Sequence, residues 1–226
     1  IVVGLSIKIF GDTSDSQDTT TALTARENLL LTLFSFALAL GALWIWLRVK
    51  ERRRFSTLGL ERDGQTLPRI LRGAAAGLGL VTVCILAPVI TGQATLTWNA
   101  SSIGTDGLLF VGLMLLGFLV QGSTEEILVR GFITQAVARR WGLIAAVIVQ
   151  AVVFAAMHGV NAGMGVMPAV NLALFAVFAI AWTLLEGSLW GICAWHGVWN
   201  WAQGNFFGVA VSGHTVNDSI FAFTPN

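Results

Sequence analysis

The strongest constraint on this chain is a series of apolar runs at the length of a bilayer crossing. A helix rises about 1.5 Å per residue, so about 20 apolar residues cross the hydrocarbon core. Such runs cover Asn28–Leu47, Arg72–Thr91, Gly107 to about Ala138, Leu143–Val160, Met167–Leu185 and Ser188–Phe207. The third is too long for one straight span. It is expected to extend beyond the membrane, tilt, or break near Gly122 or Gly131. Charged residues make up 11% of the chain and hydrophobic ones 55%, whereas a soluble domain carries about 25% charge. The expected fold is therefore all-α, a polytopic membrane bundle of about six transmembrane helices.

Residues 1–27 read as a partial N-terminal helix, too short at Ile1–Phe10 to cross a bilayer and interrupted by Lys8, followed by an external polar loop. Residues 28–226 read as one membrane domain with a motif-bearing core at 107–207. Cys84 and Cys193 both lie inside apolar runs, which argues against a disulfide framework. Arg48, Lys50, Arg52, Arg53, Arg54, Arg62, Arg69, Arg72, Arg139 and Arg140 fall on one side if the spans alternate. By the positive-inside rule that side is cytoplasmic. Basic residues gathered at helix ends, and not along a recognition face, give no nucleic-acid partner. The expected partners are the lipid bilayer and whatever substrate it carries.

Small residues four apart, in Gly73–Gly77, Gly187–Gly191 and Gly204–Gly208, suggest close helix approach. No internal repeat is visible, which lowers the case for a transporter.

The anomaly is polar. Glu125 and Glu126 are adjacent inside the third run, and His158 and His196 fall in two later ones. Ionisable groups at bilayer depth cost at least about 2.5 kcal/mol and mark functional sites. Depth supports a common location. Glu125 lies 14 residues before Arg139, and Asn200 lies 14 after Glu186, roughly 21 Å along a helix in each case. His158 lies 17 residues after Trp141, or roughly 25 Å.

Helical phase divides these residues. Glu126 and Arg130 are four apart with the acid first, the favoured order for an ion pair. Glu125 points about 100° away, without that partner, and is free to act as a base. Phe154 shares a face with His158, and His196 shares one with Asn200. A His–Asn pair one turn apart offers two donors to a developing oxyanion.

These three motifs, Glu-Glu-x-x-x-Arg at 125–130, Phe-x-x-x-His at 154–158 and His-x-x-x-Asn at 196–200, resemble in kind and order those of the CPBP (Abi) family. That family comprises the intramembrane CAAX prenyl endopeptidases and bacterial relatives linked to bacteriocin processing. The resemblance covers roughly 107–207. It implies an intramembrane endopeptidase in a bacterial or archaeal cytoplasmic membrane, cutting a membrane-tethered, prenylated or otherwise lipidated peptide or protein. Glu125 and His158 would activate a water, His196 and Asn200 would stabilise the oxyanion, and Glu126, Arg130 and Phe154 would shape the site. The alternative is a non-catalytic membrane partner, such as an immunity or assembly factor, on the same scaffold.

Glu125, His158 and His196 could also ligate Zn²⁺ and leave one position for water. Against this, no His-Glu-x-x-His pair is present and each ligand comes from a different helix. The expectation is therefore no firmly assigned cofactor, with zinc as the alternative.

Overall fold

A computed structural model describes residues 25–99, 104–161, 163–214 and 218–226. The expected partial helix at the N-terminus lies outside these residues. The described chain is mostly helical: α1 (Ala25–Trp46), α2 (Thr66–Ile90), α3 (Thr105–Glu126), α4 (Thr134–Met157), α5 (Val166–Glu186) and α6 (Trp190–Trp201). Wide π-helical turns extend α1 over Leu47–Glu51, join α3 to α4 over Ile127–Ile133, and extend α6 over Ala202–Phe206.

Among the described residues, four helical stretches are long and apolar enough to cross a membrane: Arg26–Glu51, Thr66–Ile90, Thr105–Met157 and Val166–Glu186. Leu38, Ile90, Ile144, Val166 and Leu185 are exposed on them, as side chains solvated by lipid would be. The stretch Thr105–Met157 holds 53 residues, about 80 Å if straight. It absorbs the third and fourth expected spans. The break expected near Gly122 or Gly131 is not found at either. The wide turn Ile127–Ile133 carries the helix through Gly131, and the chain turns at Gly142, whose φ of 82° and ψ of 172° leave helical geometry. Gly142 has no side chain to resist a positive φ. The sixth expected span is a helix of 12 residues followed by a π turn of 5, shorter than a full crossing.

Helix α6 lies between α2 and α3, and glycines set the separations. A Cβ at Gly73 would fall 1.9 Å from the Gly191 carbonyl oxygen, and one at Gly77 would fall 2.6 Å from that of Trp195. On the other side, a Cβ at Gly122 would lie 2.8 Å from the Gly197 nitrogen, and one at Gly197 would lie 2.8 Å from Leu119 Cα. Glycine thus brings backbone against backbone on both sides of α6.

The turn into α6 is pinned from the basic loop. Phe55–Leu58 forms a 3₁₀ turn closed by Gly59 at φ 103°. The Gly59 carbonyl accepts the Leu189 N–H at 2.8 Å. Glu186 ends α5, accepts the Gly191 N–H at 3.0 Å and pairs with Arg72. Leu47, Leu58, Ile127, Leu189, Ile192 and Trp195 form the main buried cluster beneath this turn.

The tail packs back onto the helices. Phe221–Pro225 forms β2, antiparallel to β1 (Ala94–Trp98), with Trp98 opposite Phe221. Leu96 and Phe223 pack against Val81, Ile85, Ala202 and Phe207. Asp218 pairs with Arg26 and so ties the tail to the start of α1.

Candidate active site

The residues singled out in the sequence converge where α3, α4 and α6 meet. Glu125, Glu126, Arg130, Phe154, His158, His196 and Asn200 are all buried. The crossing at Gly122 and Gly197 is the local cause. It brings the last turn of α3 against the middle of α6, so that two carboxylates face an imidazole and an amide.

Glu126 Oε1 accepts from Arg130 Nη1 at 3.2 Å and from His196 Nδ1 at 2.7 Å. The ion pair expected from phase is present, with both side chains fully buried. The link to His196 was not anticipated. Arg130 starts inside the wide turn and stacks its guanidinium over Phe154 at 4.3 Å and Phe175 at 5.3 Å. Thr134 Oγ1 donates to the Val129 carbonyl at 2.8 Å, satisfying an oxygen in the wide turn. Such turns occur mostly as single interruptions of α-helices, often at functional sites.

Both imidazoles are oriented by acceptors. His158 closes α4, and its Nδ1–H donates to the Phe154 carbonyl at 2.8 Å, because a carbonyl only accepts. His196 Nδ1–H donates to Glu126 for the same reason. With Nδ1 engaged, each ring is left with Nε2 for the site. Both Nε2 atoms stand 3.8 Å from one atom, Glu125 Oε2. That oxygen is buried and accepts no hydrogen bond from the described residues. A spacing of 3.8 Å leaves room for a water to bridge Glu125 Oε2 and an imidazole Nε2 at hydrogen-bond lengths of about 2.8 Å.

The same atoms fit a metal less well. Ligands at about 2.0–2.1 Å around tetrahedral zinc lie roughly 3.3–3.4 Å apart. Among the described residues, no group of three His, Cys, Asp or Glu side chains is disposed to hold a metal ion.

Gln121 was not singled out in the sequence, and the structure adds it. It lies one turn before Glu125 and links Glu125 to Asn200. Its spacing from Glu125 was the available signal, but an amide four residues from an acid is common on helix surfaces. On the far face of α3, Leu119, Ser123 and Ile127 line an apolar cavity of about 260 Å³ with Leu60, Ile70, Trp190, Cys193 and Ala194. Trp195 stacks on Trp199 and Phe175 and belongs to the core.

A family model described as type II CAAX prenyl endopeptidase Rce1-like matches residues 107–202. The match spans α3, the wide turn, α4, α5 and α6, and includes all three motifs. No curated protein and no solved structure matches this chain. Through this segment the chain is similar to the type II CAAX prenyl endopeptidases, and its described helices include four stretches long and apolar enough to cross a membrane.

Proposed function

We propose that this protein hydrolyses a peptide bond of a membrane-tethered, prenylated or otherwise lipidated substrate, using a water activated by Glu125 with His158. The observation that carries the reading is the approach of two imidazole Nε2 atoms to the unpartnered Glu125 Oε2, each at 3.8 Å. The apolar cavity behind α3 supports a lipidated substrate, since its lining suits a stretch of alkyl chain. The basic side of the molecule, from Arg48 to Arg72 with Arg139 and Arg140, would face the cytoplasm.

In this mechanism the water donates to Glu125 Oε2 and is oriented by His158 Nε2. As its oxygen attacks the scissile carbonyl, its proton passes to Glu125. The carbonyl oxygen gains negative charge and is met by donors from α6. Asn200 offers an N–H directly. His196 can donate from Nε2 only when doubly protonated, because its Nδ1–H is held by Glu126. Glu126 then stabilises the imidazolium, as a buried carboxylate does beside a catalytic histidine. Collapse of the tetrahedral intermediate returns the Glu125 proton to the leaving amine.

Glu125→Gln tests the base. The purified variant should remain folded and lose cleavage of a farnesylated CAAX peptide by at least about 100-fold. Cleavage at the wild-type rate would remove Glu125 from the mechanism. Full complementation of a deletion strain by Glu125→Gln would favour the non-catalytic partner instead.

A further inference from the structure

Glu125 and Asn200 stand on different helices, and one side chain joins them. Gln121 is 8% exposed. Its Nε2–H donates to Glu125 Oε1 at 2.6 Å, and its Oε1 accepts from Asn200 Nδ2 at 3.0 Å. Two amide orientations follow in sequence. An ionised carboxylate only accepts, so the Gln121 nitrogen faces Glu125. The Gln121 oxygen is then left facing Asn200, and an oxygen requires a donor, so Asn200 presents its nitrogen. The amide oxygen and nitrogen are nearly the same size, and nothing but the hydrogen-bond network selects between them. The choice matters, because an amide oxygen directed at a forming oxyanion would repel it.

We propose that Gln121 is a positioning residue that uses the charge of Glu125 to fix the donor end of Asn200, coupling the base to the oxyanion donor. This deepens the endopeptidase reading and rests on it. One Asn200 Nδ2 hydrogen goes to Gln121, and the second remains for the substrate. With Oε1 occupied by Gln121, Glu125 turns Oε2 toward the histidines. The titratable and charged groups around Glu125 are His158 from α4, His196 from α6, and Glu126 beside it on α3, itself paired with Arg130.

The test uses full-length protein in lipid nanodiscs and a fluorogenic farnesylated CAAX peptide. Gln121→Met keeps the length and removes both hydrogen bonds. Its kcat should fall about 10–100-fold, the value of hydrogen bonds to a charged group, with KM changed less than about twofold. In an Asn200→Ala background the same Gln121→Met change should lower kcat less than about threefold, because the group that Gln121 positions is gone. If Gln121→Met does not fold, Gln121→Leu takes its place with the same expectation. Equal losses of kcat in the two backgrounds overturn the proposal, because packing alone would explain them. An active Glu125→Gln defeats the endopeptidase reading. An inactive Glu125→Gln beside equal losses in the two backgrounds defeats only the role of Gln121.

Discussion

His196 donates from Nδ1 to Glu126 across 2.7 Å, and this bond decides what the second ring nitrogen can do. It joins α6 to α3 at the same carboxylate oxygen that Arg130 uses. Glu126 therefore serves an arginine and a histidine together, and changing either partner disturbs the other.

Removing the arginine should expose that dependence. Arg130→Met leaves Glu126 buried with His196 alone, and breaking a buried pair costs about 3–5 kcal/mol. Arg130→Lys keeps the charge but loses the flat guanidinium stacked on Phe154 and Phe175, so it should rescue stability only in part. Denaturant titration in detergent micelles measures both.

The two nitrogens of His158 can be separated by substitution. In His158→Asn a donor stays near the Nδ1 position, able to reach the Phe154 carbonyl, while the Nε2 position is empty. This variant should fold like wild type and lose about 10²–10⁴-fold in kcat, the range of acid–base assistance. Thermal melting read alongside the peptide assay distinguishes this outcome from a packing defect.

Glycine at the α3–α6 crossing is expected to be irreplaceable. Gly122→Ala places a Cβ 2.8 Å from the Gly197 nitrogen and should cost about 1–3 kcal/mol through overpacking. It should also reduce cleavage, since it separates Gln121 from Asn200 and Glu126 from His196. Gly112→Ala, on the same helix with nothing within 4 Å of the added Cβ, is the control and should be neutral.

The spacing around Glu125 makes a prediction about metals. Cleavage should survive prolonged dialysis against a chelator, and added Zn²⁺ should not raise it. Elemental analysis of the purified protein should find less than stoichiometric zinc. A chelator-sensitive enzyme restored by zinc would mean that the Glu125, His158 and His196 atoms close up around an ion.

Much of the arrangement was legible because it depends on periodicity. Phase separated Glu125 from Glu126 and paired Glu126 with Arg130, as the structure has them. Depth brought His158, His196 and Asn200 to one level, and they meet there. What escaped has physical reasons. A π turn needs five-residue hydrogen bonding, which a pattern read at 3.6 residues per turn cannot reveal, so Ile127–Ile133 was invisible. Gly142 carries the positive φ, but many glycines stand in these runs and sequence does not rank them. The β1–β2 pairing joins Trp98 to Phe221. Such long-range pairing leaves little local trace beyond the alternation of Thr95 and Thr97 with Leu96 and Trp98. The bond from His196 to Glu126 depends on the crossing of α3 and α6, which neither segment encodes alone.

The glycine contacts flanking α6 also govern how the centre should fail on heating. Side chains in a packed core can relax through alternative rotamers, but touching backbones have none to use. Close-packed atoms lose their dispersion contacts outright when displaced by a fraction of an ångström. Along the directions set by Gly73 against Gly191 and Gly122 against Gly197, the centre has no soft coordinate. It should not drift gradually out of alignment, and its loss should coincide with separation of the helices themselves.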